Sequence, residues 1–375
     1  MNQRQSQMLP LGSLLQEGRY RVERYIFSSG IGNIYEVVYT RSGKHMAMKE
    51  FFMRGINLCE GLTVTVALEE NRGMFEMMRD RFIREAQRLA SLESPHIVAV
   101  NDFFEENGTA YYVMQFIDGE SLYATMETTG LPFSEQQVRS ILPQVLSALK
   151  TIYAHGLYYL NLKPANIIRN ALGHCWLIDF GASKQMSNSD IGLATTSSAL
   201  CYTRGFSPYE QVNNDMKHLG PWTDFYALGA TIYNLLTHQW PPDMEDVGLD
   251  GESAFSFPTS ISLQMRGLIL SLMQPDIRKR PQSVEEIENL LADTSSEETK
   301  LSVNGATSEQ TVIHRQISNE TIRSTSEEDG VVQISVNGQR NSQSSLLLPI
   351  GTLLQNGRYR IERHIASGGF GNTYR

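Results

Sequence analysis

Residues 158–167 read Tyr158-Tyr159-Leu160-Asn161-Leu162-Lys163-Pro164-Ala165-Asn166-Ile167, and Leu177-Ile178-Asp179-Phe180-Gly181 follows shortly after. The first stretch gathers an amide, an ammonium and a second amide into a short loop. The second ends an apolar run with a carboxylate. Asn166 and Asp179 together offer hard oxygen ligands of the kind magnesium prefers. Lys163 supplies a cation beside them. A second cation, Lys49, closes the apolar segment His45-Met46-Ala47-Met48-Lys49, and Glu85 on the following helix is placed to pair with it. These pieces read as one site for a nucleoside triphosphate.

Working outward, residues 20–52 alternate like strands separated by Gly-rich turns. Residues 80–92 predict a helix with Phe82, Ile83, Ala86 and Leu89 on one face. Val98–Ala99 and Tyr111–Phe116 read as further strands. Ser134 with Gln137 forms a capping box. It opens a helix whose apolar stripe runs through Val138, Ile141, Leu142, Val145, Leu146, Leu149 and Ile152, with Pro143 inside it. From Asp224 to Leu291 the pattern is mostly helical. A strand-rich first third and a helical remainder predict a two-lobed α+β domain.

From about Gly18 to Leu291 the chain resembles the Ser/Thr protein kinases of the bacterial, eukaryotic-like type. Lys49 and Glu85 fall at the family's strand lysine and helix glutamate. Lys163 and Asn166 match its catalytic loop, and Asp179-Phe180-Gly181 matches its metal-binding tripeptide. Ser207-Pro208-Tyr209-Glu210 resembles its Ala-Pro-Glu element, with Glu210 expected to pair with Arg280. Asp224 matches the aspartate that anchors the catalytic loop. The resemblance implies a protein kinase fold, with a β-rich lobe over residues 18–117 and a helical lobe over 118–292. It implies ATP and Mg2+ as cofactors, with Asn166 and Asp179 on the metal. Met114, Gln115 and Ile117 would line the adenine pocket. A protein substrate or a regulated partner protein is the expected partner.

Three departures qualify that activity. The family's phosphate loop, Gly-x-Gly-x-x-Gly, lets backbone N–H groups approach the phosphates. Here the three positions hold Phe27, Ser29 and Gly32, with Gly30 between the last two. Asn161 stands where the family has its catalytic aspartate, preceded by Tyr159 and Leu160 in place of His and Arg. An amide oxygen accepts a hydrogen bond but does not take up a proton as a carboxylate does. Leu160 removes the arginine that docks a phosphorylated activation loop, although the segment Gln185–Thr203 still carries several Ser and Thr residues. The expected function is a regulatory pseudokinase that binds ATP–Mg. A low-rate Ser/Thr kinase and a scaffold with an empty site are the alternatives.

Residues 293–345 are rich in Ser, Thr, Glu, Asn, Gln and Gly and contain no aromatic residue, a composition that predicts a disordered linker. Two copies of one motif flank it. Leu9–Tyr35 reads LPLGSLLQEGRYRVERYIFSSGIGNIY, and Leu348–Tyr374 reads LPIGTLLQNGRYRIERHIASGGFGNTY, about two-thirds identical without a gap. Residues 1–17 therefore read as an N-terminal extension and 346–375 as the start of a second, truncated lobe.

Composition narrows the functional classes. There are 32 basic and 41 acidic side chains, a formal net charge of −9. That balance disfavours non-specific nucleic-acid binding as the main role. The longest apolar stretch, around Phe225–Leu236, is too short to span a bilayer. Cys59, Cys175 and Cys201 show neither metal-ligand spacing nor a disulfide framework, so a reducing cytoplasm is expected.

Overall fold

The computed structural model describes residues 7–29, 32–185 and 202–292, together with the backbone of four short strands between Leu353 and Tyr374. Gly30, the linker 293–345 and most of the segment 185–203 lie outside the described residues. The chain divides into two units, Met1–Thr294 and Ser295–Arg375.

The first unit opens with a six-stranded sheet in the order β1-β2-β3-β4-β8-β7. Its strands are β1 (Leu14–Leu15), β2 (Tyr20–Ser29), β3 (Gly32–Tyr39), β4 (Lys44–Phe51), β7 (Val100–Glu106) and β8 (Thr109–Gln115). Alternation along β3 buries Asn33, Tyr35 and Val37, and β4 is buried from Met46 onward. The hairpin β2–β3 ends with Ser29 opposite Gly32. Glycine is needed at position 32, because a Cβ there would lie 2.9 Å from the Glu50 carbonyl oxygen.

The N-terminal stretch is built into this lobe. Leu9 and Leu15 are buried in one cluster with Tyr20, Val22, Tyr35, Val37, Met46, Met48, Tyr111 and Val113. The apolar residues ahead of position 18 complete the outer face of the sheet and exclude water from it.

The insertion between β4 and the first helix forms a small hairpin, β5 (Asn57–Glu60) with β6 (Thr63–Val66). Helix α1 (Arg72–Ala90) begins earlier than the sequence pattern indicated, because Phe75 and Met78 extend its buried face ahead of Phe82, Ala86 and Leu89. The expected strand at Val98–Ala99 is not a sheet strand. Val98 donates its N–H to Leu177, and Leu177 donates to His96, so this segment bridges to the stretch before Asp179. The sheet strand starts at Val100.

A short strand β9 (Gly119–Ser121) and α2 (Leu122–Thr129) lead into the helical lobe. Helix α3 (Glu135–Ala154) carries the expected capping box: Ser134 accepts from the Gln137 N–H, and Gln137 accepts from the Ser134 N–H. Strands β10 (Leu157–Tyr158), β11 (Ile167–Asn170), β12 (Cys175–Leu177) and β13 (Lys184–Gln185) frame the loop between them. Then follow α4 (Tyr209–Val212), α5 (Pro221–Thr237), α6 (Met244–Asp250), α7 (Leu263–Leu272) and α8 (Val284–Ala292). Helix α5 is buried almost throughout. It approaches α7 closely at Gly229, where a Cβ would fall 2.8 Å from Leu272 and Met273.

In the second unit, β14 (Leu353–Leu354) pairs with β15 (Tyr359–Arg360), and β16 (His364–Gly368) with β17 (Gly371–Tyr374). Ala366 faces Thr373, Ser367 faces Asn372 and Gly368 faces Gly371. The equivalent residues of the first copy pair identically, Phe27 with Ile34, Ser28 with Asn33 and Ser29 with Gly32, with the register shift at the same place.

Candidate active site

The site is assembled from β4, α1, the loop after β10 and the turn after β12. Lys49 Nζ lies 3.2 Å from Glu85 Oε1 and 3.1 Å from Asp179 Oδ1. Both Lys49 and Glu85 are buried. Burial opposes the Lys49 charge, yet the facing Asp179 and Glu85 carboxylates outweigh it and hold its pKa well above the ordinary value. Burial likewise opposes ionisation of Asp179, and Lys49 overcomes it, so this carboxyl sits below the usual range. From the sequence alone, Phe82 is placed only on the apolar face of its helix, and Tyr112 is not singled out. Their ring centroids lie 5.8 and 5.5 Å from Lys49 Nζ, and the Tyr112 hydroxyl donates to Glu85 Oε1 at 3.1 Å. Their signal was the alternation of β8 and the apolar stripe of α1, which reads equally well as core.

The loop carrying Asn161 hangs from Asp224. The Tyr159 and Leu160 N–H groups donate to its two carboxylate oxygens at 2.9 and 2.6 Å, and the Tyr153 hydroxyl adds a third bond at 3.2 Å. Burial still dominates and raises the Asp224 pKa to about 6. Leu160 adopts a left-handed φ of 59°, unusual for a residue with a side chain. Its anchored N–H, and the Gln211 Nε2 donor 2.8 Å from its carbonyl, hold it there. Its side chain is buried with Ala182 and Leu219, so apolar packing occupies this position. Tyr159 is fully buried, stands edge-on to Phe180 at 4.8 Å and donates its hydroxyl to the Ile178 carbonyl.

Asn161 Nδ2 donates to both Asp179 Oδ2 and the Asp179 carbonyl, each at 3.1 Å. Asn166 Nδ2 donates to the Asn161 carbonyl at 2.8 Å. This turns the Asn166 amide oxygen away from that bond, and no hydrogen bond from the described residues reaches it. One partly exposed carboxylate and one available amide oxygen form a small hard donor set. It fits magnesium, which keeps several waters and takes few protein ligands. Among the described residues no group of three or more His, Cys, Asp or Glu converges. Lys163 Nζ lies 3.0 Å from Thr203 Oγ1. Further along, Glu210 and Arg280 form the expected pair at 2.6 Å, both buried.

At the edge of the cleft, Met114 lies opposite Ala47 of β4, and Gln115 donates its N–H to Ala99 at 2.9 Å. The backbone of Ile117 makes no hydrogen bond with the described residues. Phe27 is 55% exposed, so its ring leaves the core free rather than filling it.

A family model described as the protein kinase domain matches residues 20–292. The chain belongs to the protein kinase family. It is 28% identical over 281 residues to serine/threonine-protein kinase F of Synechocystis sp., covering 73% of this chain and 55% of that protein. It is 29% identical over 270 residues to serine/threonine-protein kinase PrkC of Bacillus subtilis, covering 72% and 36%. The chain thus spans little more than half the length of the first relative and about a third of the second. The solved apo form of PpkA-294 superposes with a TM-score of 0.67 at 27% identity, over 76% of this chain and all of that one. The kinase fold, a β-sheet lobe followed by a helical lobe, accounts for the arrangement described above. The family uses ATP and Mg2+ and acts on proteins. Among the described residues no helix is long and apolar enough to cross a membrane.

Proposed function

We propose that this kinase domain binds ATP–Mg and transfers phosphate to protein Ser/Thr slowly or not at all, acting as a regulatory pseudokinase. The observation that carries the reading is the assembled contact of Lys49 with Glu85 and Asp179, beside an Asn161 that lacks a carboxylate. Lys49, fixed by Glu85, would orient the α- and β-phosphates. Lys163 would face the γ-phosphate. Asn166 and Asp179 would hold magnesium, which when bound neutralises phosphate charge. Met114 would back the adenine, and the backbone of Gln115 and Ile117 would hydrogen-bond it. Phe27, Ser29, Gly30 and Gly32 would cover the phosphates, less closely than three glycines would.

Asn161 can accept a hydrogen bond from a substrate hydroxyl but cannot remove its proton. A general base contributes roughly 10²–10⁴ in rate. Kinases turn over at about 1–100 per second. Without the base, a rate of about 10⁻⁴ to 1 per second remains. The upper part of that range is a working low-rate kinase. The contact of Lys163 with Thr203 favours this second reading, because it ties Thr203 to the loop that carries Asn161.

Nucleotide binding separates both readings from an empty scaffold. A ligand that binds only the folded state raises Tm by mass action. ATP with Mg2+ is expected to raise Tm, and Lys49→Met to remove most of that rise. Absence of any shift at millimolar ATP would refute the proposal.

A further inference from the structure

We propose that Asn161 is a positioning residue for the Asp179 carboxylate: a latch that holds it toward Lys49 without a cation and makes nucleotide binding less dependent on magnesium. This inference rests on the nucleotide-binding reading above and adds a role for the residue that replaces the family's aspartate.

Asp179 is met by Lys49, by Asn161 and by the main-chain N–H of Gly181. Lys49 Nζ meets Oδ1 at 3.1 Å. Asn161 Nδ2 meets Oδ2 at 3.1 Å and the main-chain carbonyl at 3.1 Å. A carboxylate and a carbonyl only accept hydrogen bonds, so the group facing both at this distance must be a donor. The amide has two N–H bonds and satisfies both acceptors. An aspartate at position 161 has none to offer, and two carboxylates at such a separation repel unless a cation lies between them.

The latch itself is rigid. Asn161 is held from behind, its carbonyl accepting from Asn166 Nδ2 at 2.8 Å. The preceding residue is anchored to Asp224 at 2.6 Å. Asp179 has a φ of 61°, a left-handed conformation that aspartate adopts more readily than most residues with a side chain. On its far side, Arg81 donates to the Gly181 carbonyl at 2.7 Å and Arg88 to the Ser183 carbonyl at 3.0 Å. The tripeptide is therefore clamped in its inward position by the protein's own donors. The same amide that fixes Asp179 also engages Oδ2, so a metal ion approaching that oxygen finds one of its lone pairs already taken.

The test is the thermal stability of the full chain, wild type against Asn161→Asp and Asn161→Ala, in EDTA and in MgCl2, each with and without ATP. Wild type is expected to keep most of its ATP-induced rise in EDTA. In Asn161→Asp, the ratio of ATP affinity with Mg2+ to that without should be larger by about tenfold, a usual coupling between adjacent sites. Without nucleotide, Asn161→Asp should melt below wild type in EDTA and recover with MgCl2 alone. Asn161→Ala should melt below wild type in both conditions. Equal magnesium dependence of wild type and Asn161→Asp overturns the latch, as does an Asn161→Ala variant as stable as wild type. If Asn161→Asp does not fold in EDTA, its recovery in MgCl2 supports the latch and failure to recover overturns it. If ATP shifts no variant under any condition, the nucleotide-binding reading falls, and the nucleotide-free comparison still decides whether Asn161 holds Asp179.

Discussion

Single side chains decide whether this site can hold a nucleotide and whether it can do chemistry. The Glu85 and Asp179 carboxylates each lie within 3.2 Å of the Lys49 ammonium. All three residues were legible in the sequence because Lys49 and Asp179 each end an apolar run and Glu85 lies on the helix between them, in the order that one family imposes. Tyr112, Tyr159 and Asn33 were not legible in their roles. Asn33 Nδ2 donates to the buried Glu50 carboxylate at 2.8 Å and Ser28 donates to Asn33 Oδ1, a polar network inside a strand pattern that reads as ordinary alternation. Asp224 makes a prediction at this scale. Burial raises its pKa to about 6, above the ordinary carboxylate value, so the folded state holds its proton more tightly than the unfolded chain. The stability this group contributes is full below about pH 4 and is lost as pH rises through about 6. Asp224→Asn removes the titration and leaves one of two backbone N–H groups facing an amide N–H, a cost of about 1–3 kcal/mol. Wild type should therefore gain on Asp224→Asn as pH falls from neutral to about 5, read as a widening Tm difference. A difference that stays constant across that range contradicts the assignment.

Among the elements, β1 and the residues before it changed most between sequence and structure. A pair of leucines in a turn-rich stretch carries too little periodicity to announce a strand. Their partner β2 lies across a turn, and the pairing of Leu14 with Arg21 and Leu15 with Tyr20 becomes visible only when the sheet forms. The same stretch is fastened polar group by polar group: Leu9 donates its N–H to the Tyr35 hydroxyl at 3.0 Å, and Asn33 donates to the Gln7 carbonyl at 3.0 Å. Long periodic helices were easier. Helix α3 was legible from its cap to its buried stripe, whereas the start of α1 was hidden because an insertion obscured Phe75 and Met78. Leu15 is fully buried. Leu15→Ala should thus cost about 2–5 kcal/mol, the range for a leucine truncated in a packed core, measured by urea unfolding. A loss under about 0.5 kcal/mol, ordinary for a surface substitution, would show that β1 is not part of the lobe's core.

At the scale of the whole molecule, one chain carries a kinase domain and a second copy of that domain's opening motif. The two copies share pairing register and bulge position despite differing at about one position in three. Pairing of this kind is fixed by the turn and by which residues can face one another, so it survives changes such as Phe27 against Ala366. The domain's fold was legible because many motifs occur in one order; its catalytic power was not, because the residues at positions 161 and 27 bear on chemistry while the shape stays the same whichever side chain stands there. On the proposed function, the missing carboxylate limits phosphoryl transfer in an otherwise assembled site. The most direct measurement is single-turnover transfer from γ-labelled ATP to a generic Ser/Thr substrate at saturating Mg2+, wild type against Asn161→Asp. A wild-type rate below about 1 per second is expected, and an Asn161→Asp rate higher by up to about 10²–10⁴. A wild-type rate at or above about 1 per second, within the ordinary kinase range, would contradict the proposed function.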